Sequence, residues 1–246
     1  LAILDLFTEA RSIWHYDDIM AALGYSRPTA YRYIKDLAAA GYLQRVAAGR
    51  YALGPRIVEL DYLVRNSDPV LIAAMPAMDD LARQAGLDAV LTAMFRDRVI
   101  DIHRVRSDKA LRLAYGRGRP RPLFYGAAPK IILAHLARLQ AAKLYKAHAS
   151  EISKLGLGAG WPQFRDQLSA WRRDGVYVSM GELEASACSM AAPILNPMRE
   201  VVAALALVGA PDRFNPAALD QMRPLLLDAR RQIEMALAQS RGASDG

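Results

Sequence analysis

Apolar positions recur at three- and four-residue intervals over Ala30, Tyr33, Ile34, Leu37 and Ala38, which predicts one helical face between Ser26 and Gly41. Ser26 stands at the N-cap. Pro28 falls in the first turn, where a missing N–H costs nothing, and Gly41 supplies the stop. A shorter amphipathic run, His15–Leu23, turns Ile19, Met20 and Leu23 to one side and ends at Gly24. Gly24, Tyr25 and Ser26 then make a tight turn between two helices. Two β-prone runs follow, Tyr42–Val46 and Arg50–Leu53, joined through Ala47, Ala48 and Gly49 as a hairpin. Ala2–Glu9 reads as a leading helix. Pro55–Val64 reads as a helix with Ile57, Leu60, Leu63 and Val64 on one face. The run from Asn66 to Pro69 breaks that pattern and puts a domain boundary near Asp68.

Beyond the boundary, Pro69–Ala85 is helical, with Leu71, Ile72, Met75, Met78 and Leu81 apolar. Leu87–Phe95, Arg98–Val105 and Leu111–Tyr115 read as strands, and Gly116–Pro122 as a loop. Ala127–Leu139 is a helix, and Gln140–Ala149 continues the helical region. Leu155–Gly160 is a glycine-rich loop and Pro162–Asp174 another helix. Three strands, Val176–Met180, Ala187–Leu195 and Val201–Val208, precede a long helix, Pro216–Ser240. Strands, helices, strands and a helix in that order predict an α+β domain with one antiparallel sheet flanked by helices. The expected organisation is a small domain over residues 1–54, a linker helix over 55–68, a larger domain over 69–240 and a disordered tail over 241–246.

Charge sharpens this outline. The chain has 246 residues and a net charge of +7, a balance that favours a polyanionic partner. One basic cluster lies in the helix and hairpin already described. The outer helix face carries Arg27, Thr29, Tyr31, Arg32 and Lys35, and the hairpin adds Arg45 and Arg50, against the single acid Asp36. With Ser26 opening the helix, this is the outline of a winged helix-turn-helix. Its second helix would enter the major groove and its hairpin would lie along a phosphate strand. A second cluster, between residues 96 and 121, holds nine basic and three acidic side chains. No apolar run approaches the roughly 18 residues of a membrane span. Leu1–Phe7 lacks the basic start and small-residue cleavage site of a signal peptide. Cys188 is the only cysteine, so an intrachain disulfide is ruled out, and a cytoplasmic protein is expected.

The residues that could carry catalysis form no set. His15, His103, His135 and His148 stand at no metal-ligand spacing. Cys188 lies in a predicted strand without a histidine partner and reads as a small core or pocket residue. The run Gly116-Arg117-Gly118-Arg119 lacks the Lys-Ser/Thr of a phosphate-binding loop. Glu182 and Glu184 read as a solvated turn. No catalytic residue, metal or cofactor is expected. The alternative is a small-molecule enzyme whose N-terminal helices serve only assembly. A better-founded site is the start of the Ala127 helix. There Gly126-Ala127-Ala128-Pro129 offers unsatisfied N–H groups to an anion, just after Arg112, Arg117, Arg119 and Arg121.

The segment Asp17–Gly54, with its Ser-x-x-Thr-Ala-Tyr-Arg run and its Tyr-x-Leu-Gly ending, resembles the DNA-binding domain of IclR-type transcriptional regulators. Pro122–Leu133 and Gly175–Gly209, the latter with its Met-Ala-Ala-Pro run, resemble the effector domain of the same family. The likeness covers nearly the whole chain in the same domain order. It implies a regulator that binds double-stranded operator DNA as a homodimer or tetramer and responds to a small organic acid. Carried over residue by residue, the pocket is lined by Leu113, Arg121, Ala127, Ala128, Ser179, Ser189, Ala206 and Val208. Tyr115, Phe124 and Tyr125 lie near enough to stack on a ligand. The chain departs from the pattern of small-acid-binding members. Pro129 replaces the glycine before Lys130, Ser179 stands where some members have aspartate, and Ala206 and Val208 stand where polar residues occur. An apolar floor suits a ring or alkyl body, so an aromatic or medium-sized apolar carboxylate is expected, sensed to control a catabolic operon. Its carboxylate is expected on the N–H groups of the Ala127 helix and its polar substituent on Ser189 and Ser179. Arg121 is expected at the mouth, steering the anion inward.

Overall fold

The computed structural model describes residues 1–107 and 116–242, in two compact units that divide between Asp68 and Pro69. The expected strand Leu111–Tyr115, and with it Arg112, Leu113 and Tyr115, lies outside the described residues.

The first unit runs β1 (Trp14–His15), α1 (Tyr16–Leu23), α2 (Arg27–Ala39), β2 (Leu43–Ala47), β3 (Arg50–Leu53) and α3 (Arg56–Ser67). Its sheet has the antiparallel order β1-β3-β2. Strand β1 was not legible, because two residues are too few to show a period. The expected helix Ala2–Glu9 is only a 3-10 turn, Leu4–Leu6. Ile3 is buried, and Leu4, Leu6 and Phe7 are partly buried, around a small core of Ile19, Ile34 and Leu43. These residues lie at helix-like spacing, but the backbone turns extended at Phe7 (ψ 117°), so the hydrogen-bonded run ends after a single 3-10 turn. Tyr33 also departs from expectation. It is exposed and meets Tyr25 edge to face at 5.6 Å, leaving Ala30 and Ile34 as the buried anchors of α2.

The entrance to α3 depends on two glycines. A Cβ on Gly54 would stand 2.1 Å from the carbonyl oxygen of Gly41, whose own φ is +77°. The crossing is fixed by Gly54 N–H donating to Tyr42 O (2.8 Å) and Arg56 N–H donating to Gly41 O (3.1 Å). Helix α3 then runs through Asn66 and Ser67, whose side chains donate back to the Tyr62 and Leu63 carbonyls, each at 2.8 Å. None of its residues is buried.

The second unit runs α4 (Pro69–Ala85), β4 (Asp88–Phe95), β5 (Arg98–Val105), β6 (Pro120–Arg121), α5 (Ala127–His135), α6 (Arg138–Lys154), α7 (Trp161–Asp174), β7 (Tyr177–Met180), β8 (Cys188–Leu195), β9 (Val201–Gly209) and α8 (Pro216–Gly242). The six strands lie in the order β6-β5-β4-β9-β8-β7, every described pairing antiparallel. The short β6 falls in a stretch expected as loop. Helix α5 ends at His135, four residues short of the expected stop, because Leu136 is extended. Helix α8 reaches Gly242, so residues 241 and 242, expected in a disordered tail, are helical.

Both faces of this sheet are covered. On one side Met78, Leu81, Leu226 and Ile233 of α4 and α8 pack on Leu205 and Leu207. On the other, Ile131, Phe164 and Trp171 of α5 and α7 pack on Ala191, Ala204 and Ala206. Alternate residues of β9 therefore serve two cores. That double burial is why β8 and β9 read as continuous apolar runs rather than alternating ones. Alanines dominate the α5 side and leave room for the helix to lie close over the sheet.

Candidate nucleic-acid interface and effector site

In the first unit, α2 presents Ser26, Arg27, Tyr31, Arg32 and Lys35 to solvent, with Thr29 half-buried, and the hairpin presents Arg45 and Arg50. Ser26 holds the N-cap position, but its hydroxyl bonds Thr29 Oγ1 at 2.9 Å and caps no backbone group. The first N–H groups of α2 are left without a side-chain cap. Arg27 donates to the Tyr16 hydroxyl and lies over its ring, 5.5 Å from the centroid. Arg45 Nε donates to Ala47 O at 3.2 Å, within the wing itself. Arg27, Tyr31 and Arg45 line one concavity between helix and wing, together with Tyr16 and Tyr51. These two tyrosines were not singled out in the sequence, since α1 and β3 each show only part of this face. Guanidinium groups beside tyrosyl hydroxyls on a concave surface can hold a phosphate backbone.

In the second unit, Ser179, Ser189 and Val208 stand side by side across β7, β8 and β9. Ala206 lies one row further along, beside Ala191. The start of α5 sits over this floor: Ala127 N–H points at Ser189 Oγ, 3.4 Å away. Gly126, at φ +87°, turns the chain into the helix. Ala127, Ala128 and Ala206 are almost fully buried. Arg121, Gly126, Ser179, Ser189 and Val208 line a cavity of only about 20 Å³, with Cys188 and residues of the β7–β8 loop.

Three expectations are corrected here. Phe124 is not poised to stack on a ligand; it is buried in the core against Phe164 and His148, at centroid distances of 6.3 and 5.5 Å. Tyr125 is half-buried and packs on the same core. Arg121 is not a mouth residue. Its side chain is 11% exposed and pairs with Asp101 at 3.4 Å, while Asp101 accepts from Thr92 Oγ1 at 2.8 Å. Burial pushes the Asp101 carboxyl above the usual carboxylate range, against the pull of Arg121.

Glu182 is the third correction, because it is no solvated turn. Its Oε2 accepts from Gly126 N–H at 3.1 Å and from Lys130 Nζ at 2.5 Å, and its Oε1 accepts from the Tyr177 hydroxyl at 3.0 Å. Lys130 also donates to the Tyr177 oxygen at 3.0 Å. It is buried and lies 4.9 Å from the Tyr177 ring centroid and 5.5 Å from that of Trp171. Burial raises the Tyr177 hydroxyl above its ordinary value, opposed by Lys130, so the phenol keeps its proton and serves as a donor. Sequence reasoning passed over Lys130 and Tyr177, which lie 47 residues apart and meet only when β7 packs beside α5. Among the described residues no group of His, Cys, Asp or Glu could hold a metal ion. Three donors, the Gly126 N–H, the Lys130 ammonium and the Tyr177 hydroxyl, thus hold the Glu182 carboxylate.

Two family models match this chain. The C-terminal domain of the bacterial transcriptional regulator IclR matches residues 63–235, and the IclR helix-turn-helix domain matches residues 1–47.

The chain belongs to the IclR family.

It is therefore similar to DNA-binding transcriptional regulators rather than to enzymes. The IclR-family relatives include the HTH-type transcriptional regulator KipR of Bacillus subtilis, 27% identical, with 95% of this chain and 93% of the relative covered. The p-hydroxybenzoate hydroxylase transcriptional activator of Acinetobacter baylyi is 25% identical, with coverage of 95% and 88%. Among solved structures, an IclR homolog from Microbacterium hydrocarbonoxydans complexed with 4-hydroxybenzoate shares the fold with a TM-score of 0.74, at 21% identity and coverage of 96% and 95%. IclR of Thermotoga maritima shares it with a TM-score of 0.70, at 19% identity and coverage of 96% of each chain. Among the described residues of this IclR-family chain, no helix is long and apolar enough to cross a membrane.

Proposed function

We propose that this regulator senses a small organic carboxylate of aromatic class through the site beneath α5, and that binding controls its occupancy of the operator of a catabolic operon. The observation that carries the reading is the donor set at the start of α5. The Gly126 N–H, the buried Lys130 ammonium and the Tyr177 hydroxyl converge on a single carboxylate. Beside it lie the hydroxyls of Ser179 and Ser189 and the apolar surface of Ala206 and Val208, a floor that suits a ring carrying one polar substituent. The likeness to a homolog that holds 4-hydroxybenzoate supports the same class of ligand.

On the DNA side, the proposed contacts are Arg27 and Arg32 from α2, with Arg45 and Arg50 on phosphate from the wing. Ser26, Thr29, Tyr31 and Lys35 lie on the same surface. The proposed assembly is a homodimer or a dimer of dimers. The apolar side chains Val58, Tyr62, Leu63 and Val64 that α3 leaves exposed support it. Coupling requires the acid to favour one arrangement of the DNA-binding pair over another.

Calorimetry against benzoate, 4-hydroxybenzoate, acetate and benzamide tests the effector. The aromatic acids are expected to bind more tightly than acetate, and benzamide not to bind. A preference for the neutral amide would refute the anion site, and a preference for the two-carbon acid would refute the apolar floor. Genomic pull-down of bound DNA would identify the operator and the genes beside it.

A further inference from the structure

The carboxylate receptor at the start of α5 is already full. The group that fills it is Glu182, from the loop between β7 and β8. Among the described residues, the cavity that Gly126, Ser179, Leu183, Ser189 and Val208 line next to this cluster holds about 20 Å³. That is room for about one water molecule, whereas small-molecule pockets run to roughly 300 Å³ or more. Among the described residues, that cavity leaves an organic acid no room while the loop lies as it does.

Two ion pairs among the described residues bear on what must move. Lys130 faces Glu182, and Arg121 faces Asp101. An added anion beside these two pairs would be an uncompensated buried charge, which is costly. An anion that takes the place of one carboxylate keeps the count unchanged. Asp101 is the worse candidate, because it lies within β5, is 4% exposed and also holds Thr92. Glu182 is the better one. Its side chain is 27% exposed, and it sits in a loop outside any strand or helix, one residue after Gly181 at φ +69°.

We propose that Glu182 is a tethered stand-in for the effector's carboxylate, and that Lys130, Tyr177 and the Gly126 N–H form the receptor over which the two compete. This rests on the acid-sensing reading given above and names the residues and the exchange that it requires. The exchange admits one carboxylate for another, so it selects monocarboxylates over phosphates and over neutral amides. Displaced Glu182 carries the 181–187 loop outward with it, which opens the floor of Ser179, Ser189 and Val208 to the body of the ligand. The apparent affinity of the acid is then its intrinsic affinity reduced by the fraction of time Glu182 holds the receptor.

Two measurements on the full chain test this. In the first, Glu182→Gln keeps the side chain's shape and removes its charge. Calorimetry with benzoate and 4-hydroxybenzoate is expected to show at least tenfold tighter binding by this variant than by the wild type, and Lys130→Met is expected to lose binding. In the second, Glu182→Ala leaves Lys130 buried without Glu182. Millimolar acetate is expected to raise the melting temperature of Glu182→Ala well above its chloride control. The same acetate is expected to leave the wild type and the Glu182→Ala/Lys130→Met double variant unmoved. If the wild type binds an acid, E182Q binds it no more tightly and E182A ignores acetate, the exchange is overturned while acid sensing stands. If acetate rescues E182A but the wild type binds no acid of the panel, the receptor is supported and acid sensing is not.

Discussion

At the scale of single residues, the clearest local determinants are groups whose partners lie far along the chain. Gly54 is one. Its hydrogen atom faces the Gly41 carbonyl where any side chain would collide, 2.1 Å from a would-be Cβ. The atoms it would meet, of Gly41 and Leu43, are all backbone, so nothing flexible can give way. Gly54→Ala is expected to destabilise the first unit by about 1–3 kcal/mol, the usual cost of forcing extra volume into a packed site. Urea unfolding of the full chain, followed by tyrosine and tryptophan fluorescence, would show an earlier first transition; an unchanged midpoint would mean that the crossing of Gly41 and Gly54 can open at little cost. Lys130 is another such residue. From sequence it is one cation after a proline, and only its burial among Glu182, Tyr177 and Trp171 makes it a candidate for the proposed receptor.

At the scale of elements, the wing and α5 each lead to a measurable consequence. The wing brings Arg50 to an exposed position on β3, where β1 pairs with it through His15. If Arg50 meets a phosphate, Arg50→Ala should lower the salt slope of operator binding by about one unit, with weakening that is similar across sequences. An unchanged slope would remove the wing from the interface. Helix α5 ends on His135, whose Nδ1 bonds the Ile131 carbonyl at 2.9 Å. Burial lowers its pKa from the ordinary 6.5, and Arg172, Arg230 and Arg199 push in the same direction. The unfolded chain therefore binds this proton first as pH falls. His135 contributes stability that is whole above 6.5 and is lost as pH falls from there through the lower folded value. His135→Gln is expected to flatten thermal stability over that window relative to the wild type. Equal pH dependence in both proteins would show that the histidine is not strained by its surroundings.

At the scale of the whole molecule, assembly is the open dependence. Helix α3 buries none of its twelve residues, and Val58, Tyr62, Leu63 and Val64 are all more than half exposed. Apolar side chains gathered on one short helix favour association with a like surface. Sedimentation at micromolar concentration is expected to find a dimer or tetramer, and Val58→Glu combined with Leu63→Glu to shift it toward the monomer with weaker operator binding. A wild type that sediments as a monomer, or a double variant that assembles as before, would place the contact elsewhere.

Much of the architecture was legible because it is written in local pattern. The turn from α1 to α2, the hairpin, the long helices α4 and α8 and the paired strands β8 and β9 follow from apolar spacing, glycine stops and β-prone runs within a few residues of each other. The basic face of α2 was legible for the same reason, since one helix carries most of it. What failed locally was short or shared. Strand β1 has two residues, β6 two, and the first segment packs through Ile3 without forming a helix. The proposed effector site was legible only in part. Its floor, Ser179, Ser189 and Val208, and the start of α5 could be named from a resemblance, but the occupant could not. Glu182 and Lys130 are 52 positions apart, and neither carries any mark of the other in its own neighbourhood. The sequence by itself determined the longer helices and strands, because those depend on neighbours along the chain. Tertiary structure alone decided that Arg121 lies deep against Asp101, that Phe124 is core and that Glu182 pairs with Lys130 at the start of α5, because burial sets which charges must find partners and only the packed sheet and helix bring those partners within reach.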